Sequence, residues 1–176
     1  MNKIPLLLFG LLAAFFVVFL MRAKVTSVAA VESAMVGRKV PTFKFQEKFK
    51  GGENFSSSDL HGRPSVVNVF ASQCLKCRIE QGILEEISQD ENVPVYGLDY
   101  KDTPDQLASW LKTYGNPYEA VGVDHDGRVA IDWGVNSVPE TFVVDAEGVI
   151  RYRHVGVMTD EVYQNVVKPM LAEMKQ

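Results

Sequence analysis

Two cysteines three positions apart, Cys74 and Cys77, are the residues of this chain best suited to chemistry. A thiolate is the nucleophile of disulfide exchange, and a C-x-x-C pair can attack a partner disulfide with one sulfur and expel the bound partner with the other. The chain has no further cysteine, so neither a disulfide framework nor a four-thiolate zinc site can be completed within it. Half of a zinc site, or two inert core thiols, are the bland alternatives. Around the pair, Lys76 adds a positive charge that would favour a Cys74 thiolate if its ammonium points toward the sulfur. Glu80 follows three residues after Cys77 on the same side of the expected helix, and Glu140 follows Pro139. Each glutamate suits a proton relay to Cys77, an acidic groove or an ordinary solvated charge. Pro139 ends a loop before a strand, where either a cis or an ordinary trans peptide bond fits. His61, His125 and His154 lie far apart and receive no role.

The elements around the pair decide between these readings. Residues 65–71 (SVVNVFA) form a short, mostly apolar, β-branched run after Gly62-Arg63-Pro64, the pattern of a strand buried on both faces. Ile79, Ile83, Leu84 and Ile87 then recur at helical spacing, so the cysteines fall where a strand hands over to a helix. The unpaired N–H groups of a first helical turn stabilise negative charge, which makes Cys74 the expected attacker and Cys77 the resolving thiol. A second strand is expected over 93–100, and a capping box Thr103-Pro104-Asp105-Gln106 opens a helix ended by Gly115 and Pro117. Residues 128–133 suit one or two helical turns, 141–145 and 149–155 a hairpin, and Thr159 the start of a last helix kinked at Pro169. Phe43-Lys44-Phe45 and Phe55 suggest a short N-terminal hairpin. Strand, C-x-x-C helix, strand, helix, then two strands and a helix give an α/β fold of thioredoxin-like order.

The N terminus has a separate logic. Residues 4–21 are eighteen positions without a charge, the length that spans a bilayer as a helix, and Arg22 and Lys24 follow at once where a cleavable signal would be uncharged. The expected organisation is a tail over 1–3, an uncleaved transmembrane anchor over 4–21, a tether over 22–36 and one folded domain over 37–176. Flanking charge does not set the orientation, and the need of a thiol pair for a redox system places the domain outside the cytoplasm. A net charge of −4, with no Lys/Arg cluster, argues against a nucleic-acid partner.

Four segments together resemble the CcmG or DsbE family, the thioredoxin-like thiol-disulfide oxidoreductases of bacterial cytochrome c maturation. They are Asn68-Val69 leading into Cys74-x-x-Cys77-Arg78-x-Glu80; Tyr100-Lys101-Asp102 through Ser109-Trp110-Leu111-Lys112 to Gly115-Asn116-Pro117-Tyr118; Gly134-Val135 to Pro139-Glu140-Thr141-Phe142; and Ile150-Arg151-Tyr152-Arg153-His154-x-Gly156. The resemblance covers 33–171 plus an anchor of the same kind. It implies a domain in the periplasm, held at the inner membrane by a single-pass helix. It implies a redox-active Cys74–Cys77 disulfide with no other cofactor and no metal, a cis Pro139, and Glu80 and Glu140 as acidic groups near the site. The implied partners are a membrane electron donor of the DsbD or CcdA type, and apocytochrome c or the protein that holds it. The family usually has Trp before the first cysteine and Pro within the dipeptide, where this chain has Gln73 and Leu75-Lys76. Because that dipeptide tunes the stability of thiolate against disulfide, a general disulfide oxidant or isomerase is the alternative reading. A copper chaperone is a weaker one, since such domains use C-x-x-x-C.

Overall fold

The computed structural model describes Phe9, Leu12, Phe15 and residues 34–45, 54–89 and 93–175. The chain forms two compact units, Met1–Glu32 and Ser33–Gln176. In the second, strands β1 (Ser65–Phe70), β2 (Val95–Tyr100), β3 (Ala120–Asp124), β4 (Glu140–Val144) and β5 (Ile150–Val155) make one mixed sheet in the order β3-β2-β1-β4-β5. Every residue of β1 is buried, as its apolar, β-branched sequence requires of a strand covered on both faces. It pairs in parallel with β2, from Val66 opposite Val95 to Phe70 opposite Asp99, and antiparallel with β4.

The period of two along β1 divides the core. Val66 and Phe70 join Leu84, Leu107 and Trp110 in one cluster, while Val67 and Val69 join Phe43, Trp133 and Phe142 on the opposite face. Asn68 therefore points to the Val66 face, which carries helices α1 (Leu75–Ile79), α2 (Gln81–Ser88) and α3 (Pro104–Tyr114). α3 starts on the expected capping box: Thr103 Oγ1 accepts from the Gln106 N–H at 3.3 Å, and Gln106 Oε1 accepts from the Thr103 N–H at 2.9 Å. Helix α4 (Arg128–Asp132) follows β3. The chain ends in α5 (Asp160–Val162), a π-helical turn (Tyr163–Val167) and α6 (Lys168–Met174). The irregular turn ends two residues before Pro169, whose missing N–H leaves the Asn165 carbonyl without its i+4 donor.

Three expectations change. β3 is a fifth strand, absent from the sequence reading, because its five residues are centred on Gly122 and follow no clear alternation. Of the N-terminal hairpin, the described residues show an antiparallel bridge between Lys44 and Ser56, and residues 46–53 lie outside the described residues. The transmembrane helix over 4–21 is not supported: among the described residues, no helix is long and apolar enough to cross a membrane. Of that segment only Phe9, Leu12 and Phe15 are described; they are helical, and the rest lies outside the described residues. The single-pass inner-membrane placement depended on that helix and falls with it.

Candidate active site

β1, β2 and β3 run parallel and end at one edge of the sheet, and the chain leaves β1 there to begin α1. Cys74 occupies the N-cap of α1 with an extended backbone, φ −84° and ψ 105°, and its Sγ accepts from the Cys77 N–H at 3.0 Å. A hydrogen bond donated to sulfur favours the thiolate over the thiol. The turn before it is tied twice: the Cys74 N–H donates to the Ala71 carbonyl at 3.0 Å, and Ser72 donates its N–H and its hydroxyl to the two carboxylate oxygens of Asp102.

Cys74 and Cys77 form a disulfide with their Cα atoms 5.3 Å apart. Its two sulfurs differ in access, since Cys77 is 2% exposed and Cys74 is half-buried. The outer residue is thus the more accessible of the two. Leu75 and Ile79 stand exposed on the same helix. Arg78 turns instead onto α3, with its guanidinium 4.9 Å from the Tyr114 ring centre and 5.8 Å from that of Trp110.

Glu80 is the joint between α1 and α2 and is fully buried. Its Oε1 accepts from Asn68 Nδ2 at 2.7 Å and its Oε2 from the Met158 N–H at 2.8 Å. Asn68 also donates to Thr141 Oγ1 at 3.1 Å, and its Oδ1 accepts from the Tyr118 hydroxyl at 2.9 Å. Burial raises the Glu80 carboxyl from 4.5 to about 7, against the lowering effect of the bonds from Met158 and Asn68. The group is thus poised to take or give a proton near neutrality.

The Val138–Pro139 bond is cis. Val138 and Cys74 pack against the same apolar cluster, the one that includes Cys77. Glu140 sits in a different environment from Glu80. Its Oε1 accepts from the N–H groups of Asn136 at 3.0 Å and Ser137 at 3.2 Å, and its Oε2 pairs with Arg153 at 2.7 Å, with both residues largely buried. Arg153 donates in turn to the Gly134 carbonyl at 2.8 Å. The Glu140–Arg153 pair clamps the loop that carries Pro139.

The sequence reading gave no site role to Asn68, Tyr118, Thr141, Ser72 or Asp102; Asn68 bonds to Glu80, Tyr118 and Thr141 bond to Asn68, and Asp102 holds Ser72 in the turn before Cys74. A signal existed for the first: Asn68 is the only amide in a buried, mostly apolar strand, and a buried polar side chain requires partners. Tyr118 and Thr141 arrive from distant segments and left no local mark.

A mixed sheet whose central strand delivers an asymmetric C-x-x-C disulfide to a helix start, with a cis proline immediately before the neighbouring strand β4, defines a thioredoxin-like thiol-disulfide oxidoreductase. A profile of the AhpC/TSA family matches residues 36–153. The thiol:disulfide interchange protein DsbE of Yersinia pestis is 40% identical over 169 residues, covering 95% of this chain and 89% of that protein. DsbE of Vibrio cholerae is 40% identical over 185 residues, with both chains covered completely. A thioredoxin-family thiol:disulfide interchange protein from Chlorobium tepidum superposes with a TM-score of 0.60 at 25% identity, covering 77% of this chain and 97% of that one. This chain belongs to the DsbE family of thiol:disulfide interchange proteins. The match bears out the expected role, a thiol-disulfide reductase of cytochrome c maturation whose redox group is the disulfide itself.

Proposed function

We propose that Cys74 is the attacking sulfur and Cys77 the resolving one in the reduction of the haem-binding cysteines of apocytochrome c, or of their mixed disulfide with a protein that holds them. The observation that carries this reading is the asymmetry of the pair: Cys74 is half-buried at a helix cap with an N–H on its sulfur, while Cys77 is buried three residues before the buried Glu80 that ends its helix. In the dithiol form, the Cys74 thiolate attacks one sulfur of the substrate disulfide, the substrate S–S bond breaks, and one substrate thiolate leaves. Cys77 then loses its proton to Glu80 and attacks the Cys74 sulfur, and the second substrate thiolate leaves as the Cys74–Cys77 disulfide forms. Two electrons have passed to the substrate. A membrane dithiol donor of the DsbD or CcdA type returns them by the reverse exchange. Glu140 serves by fixing the loop of Pro139 rather than by carrying protons, as its four hydrogen-bonded contacts indicate.

A Cys77→Ala variant tests the assignment. It lacks the resolving thiol, so it accumulates a mixed disulfide between Cys74 and an oxidised C-x-x-C-H peptide, which mass spectrometry detects. No adduct with that peptide, alongside ready adducts with an unrelated disulfide peptide, contradicts the substrate; no adduct with either contradicts the role of Cys74.

A further inference from the structure

Asp99 lies on β2 opposite Phe70 and is fully buried, and among the described residues no N–H or hydroxyl donor reaches either of its carboxyl oxygens. A buried carboxylate without a donor is among the least stable arrangements a protein can hold. The Asp102 carboxyl, three residues on, is near enough to act against its ionisation. Lys101, between them, has a left-handed backbone at φ 58°, which turns the chain sharply after the strand and brings Asp102 back toward it. Asp102 is buried too, and both of its oxygens are engaged by Ser72, two residues before Cys74.

Two neighbouring carboxyl groups share a proton, because both cannot ionise together at low cost. We propose that Asp99 is a neutral acid whose hydroxyl donates to the Asp102 carboxylate, and that through Asp102 and Ser72 it is a positioning residue for Cys74. The proton resolves the otherwise unpartnered oxygens of Asp99. It also frees Asp102 to act as a pure acceptor for the two Ser72 donors, which hold the Ala71–Cys74 turn. The inference rests on Cys74 being the attacking sulfur.

The charged and titratable groups facing Asp99 are consistent with that state. Asp102 and Asp124 both act against its ionisation, after burial itself, and its carboxyl is raised from 3.8 to about 9. Tyr118, from the loop before β3, interacts with Asp99 and is itself held neutral by burial. The register neighbours Phe70 and Val123 are apolar, and the residues that α3 buries, Leu107 and Trp110, do not titrate. Above about pH 9, Asp99 ionises beside Asp102 and the clamp on Ser72 is lost.

Two measurements test the proposal. In the wild-type protein, the side-chain carbon resonance of Asp99 should titrate near pH 9 and stay unshifted from pH 4 to 7. A titration near pH 4 overturns the neutral acid whether or not Cys74 is the attacker. In the reduced protein, alkylation of Cys74 by iodoacetamide should reach a plateau once its thiolate forms, then fall roughly 3- to 10-fold between pH 8 and 10 as the turn loosens. Asp99→Asn keeps a donor toward Asp102 but cannot ionise, so it should retain the wild-type rate at pH 7 and lose the high-pH fall. An equal fall in Asp99→Asn overturns the positioning role, and absence of any alkylation at Cys74 in either protein faults the assignment of the attacker instead.

Discussion

Glu80 is where the surroundings of a single residue matter most to the reaction. Its carboxyl is raised from 4.5 to about 7, chiefly by burial. If it receives the Cys77 proton, resolution of a Cys74 mixed disulfide should speed up through pH 7, as Glu80 becomes the carboxylate that can accept it. Glu80→Gln should flatten that step and slow resolution at pH 8 about 10- to 100-fold, measured as release of a fluorescent thiol from the preformed adduct. An unchanged pH profile in Glu80→Gln contradicts the relay. The same group sets a stability slope. Between pH 4.5 and about 7 the folded chain holds a proton that the unfolded chain has released, so this contribution is complete at low pH and is lost as pH rises through 7. Relative to Glu80→Gln, the oxidised wild type should therefore lose about 2 to 3 kcal/mol in urea unfolding between pH 4.5 and 8. A pH-independent difference contradicts a proton held by Glu80.

At the scale of elements, the sheet edge that presents the site depends on close packing at β3. A Cβ on Gly122 would lie 1.9 Å from two carbons of the Phe45 ring, so the ring rests directly on the backbone there. Gly122→Ala should displace Phe45 and cost about 1 to 3 kcal/mol in urea unfolding; a loss below about 0.5 kcal/mol contradicts this packing. The same glycine explains why β3 escaped the sequence reading while β1, β2, β4 and β5 did not. Runs such as 65–70 declare themselves by apolar, β-branched content, whereas a five-residue edge strand centred on glycine is recognised only by what packs on it. The capping box of α3 was legible because it is local, spanning Thr103 to Gln106. Glu140 was named from sequence, but its hold on the Pro139 loop was not legible, since it requires Arg153 from a different strand. Asp99 carried the same signal as Asn68, a lone polar residue in a buried strand, and the partner that explains it is a second acid.

Across the whole molecule, one face of the sheet holds the chemistry and the other supports it. Cys77 belongs to the cluster of Phe70, Leu84 and Trp110, while Trp133, Phe142, Phe43, Phe45 and Phe55 fill the opposite side. This division follows from the alternation of β1 and was predictable. The anchor expected over residues 4–21 was read from an uncharged apolar run, the basic residues that follow it and the family resemblance, and no membrane-spanning helix occurs among the described residues. Family membership fixes the class of reaction, but the unusual Gln73 and Leu75-Lys76 around the cysteines bear on the direction of electron flow. An equilibrium redox titration of Cys74 and Cys77 against glutathione decides that direction without a substrate. The account predicts a potential clearly more negative than about −120 mV, the value of a strong disulfide oxidant, whereas a potential at or above about −120 mV would contradict it.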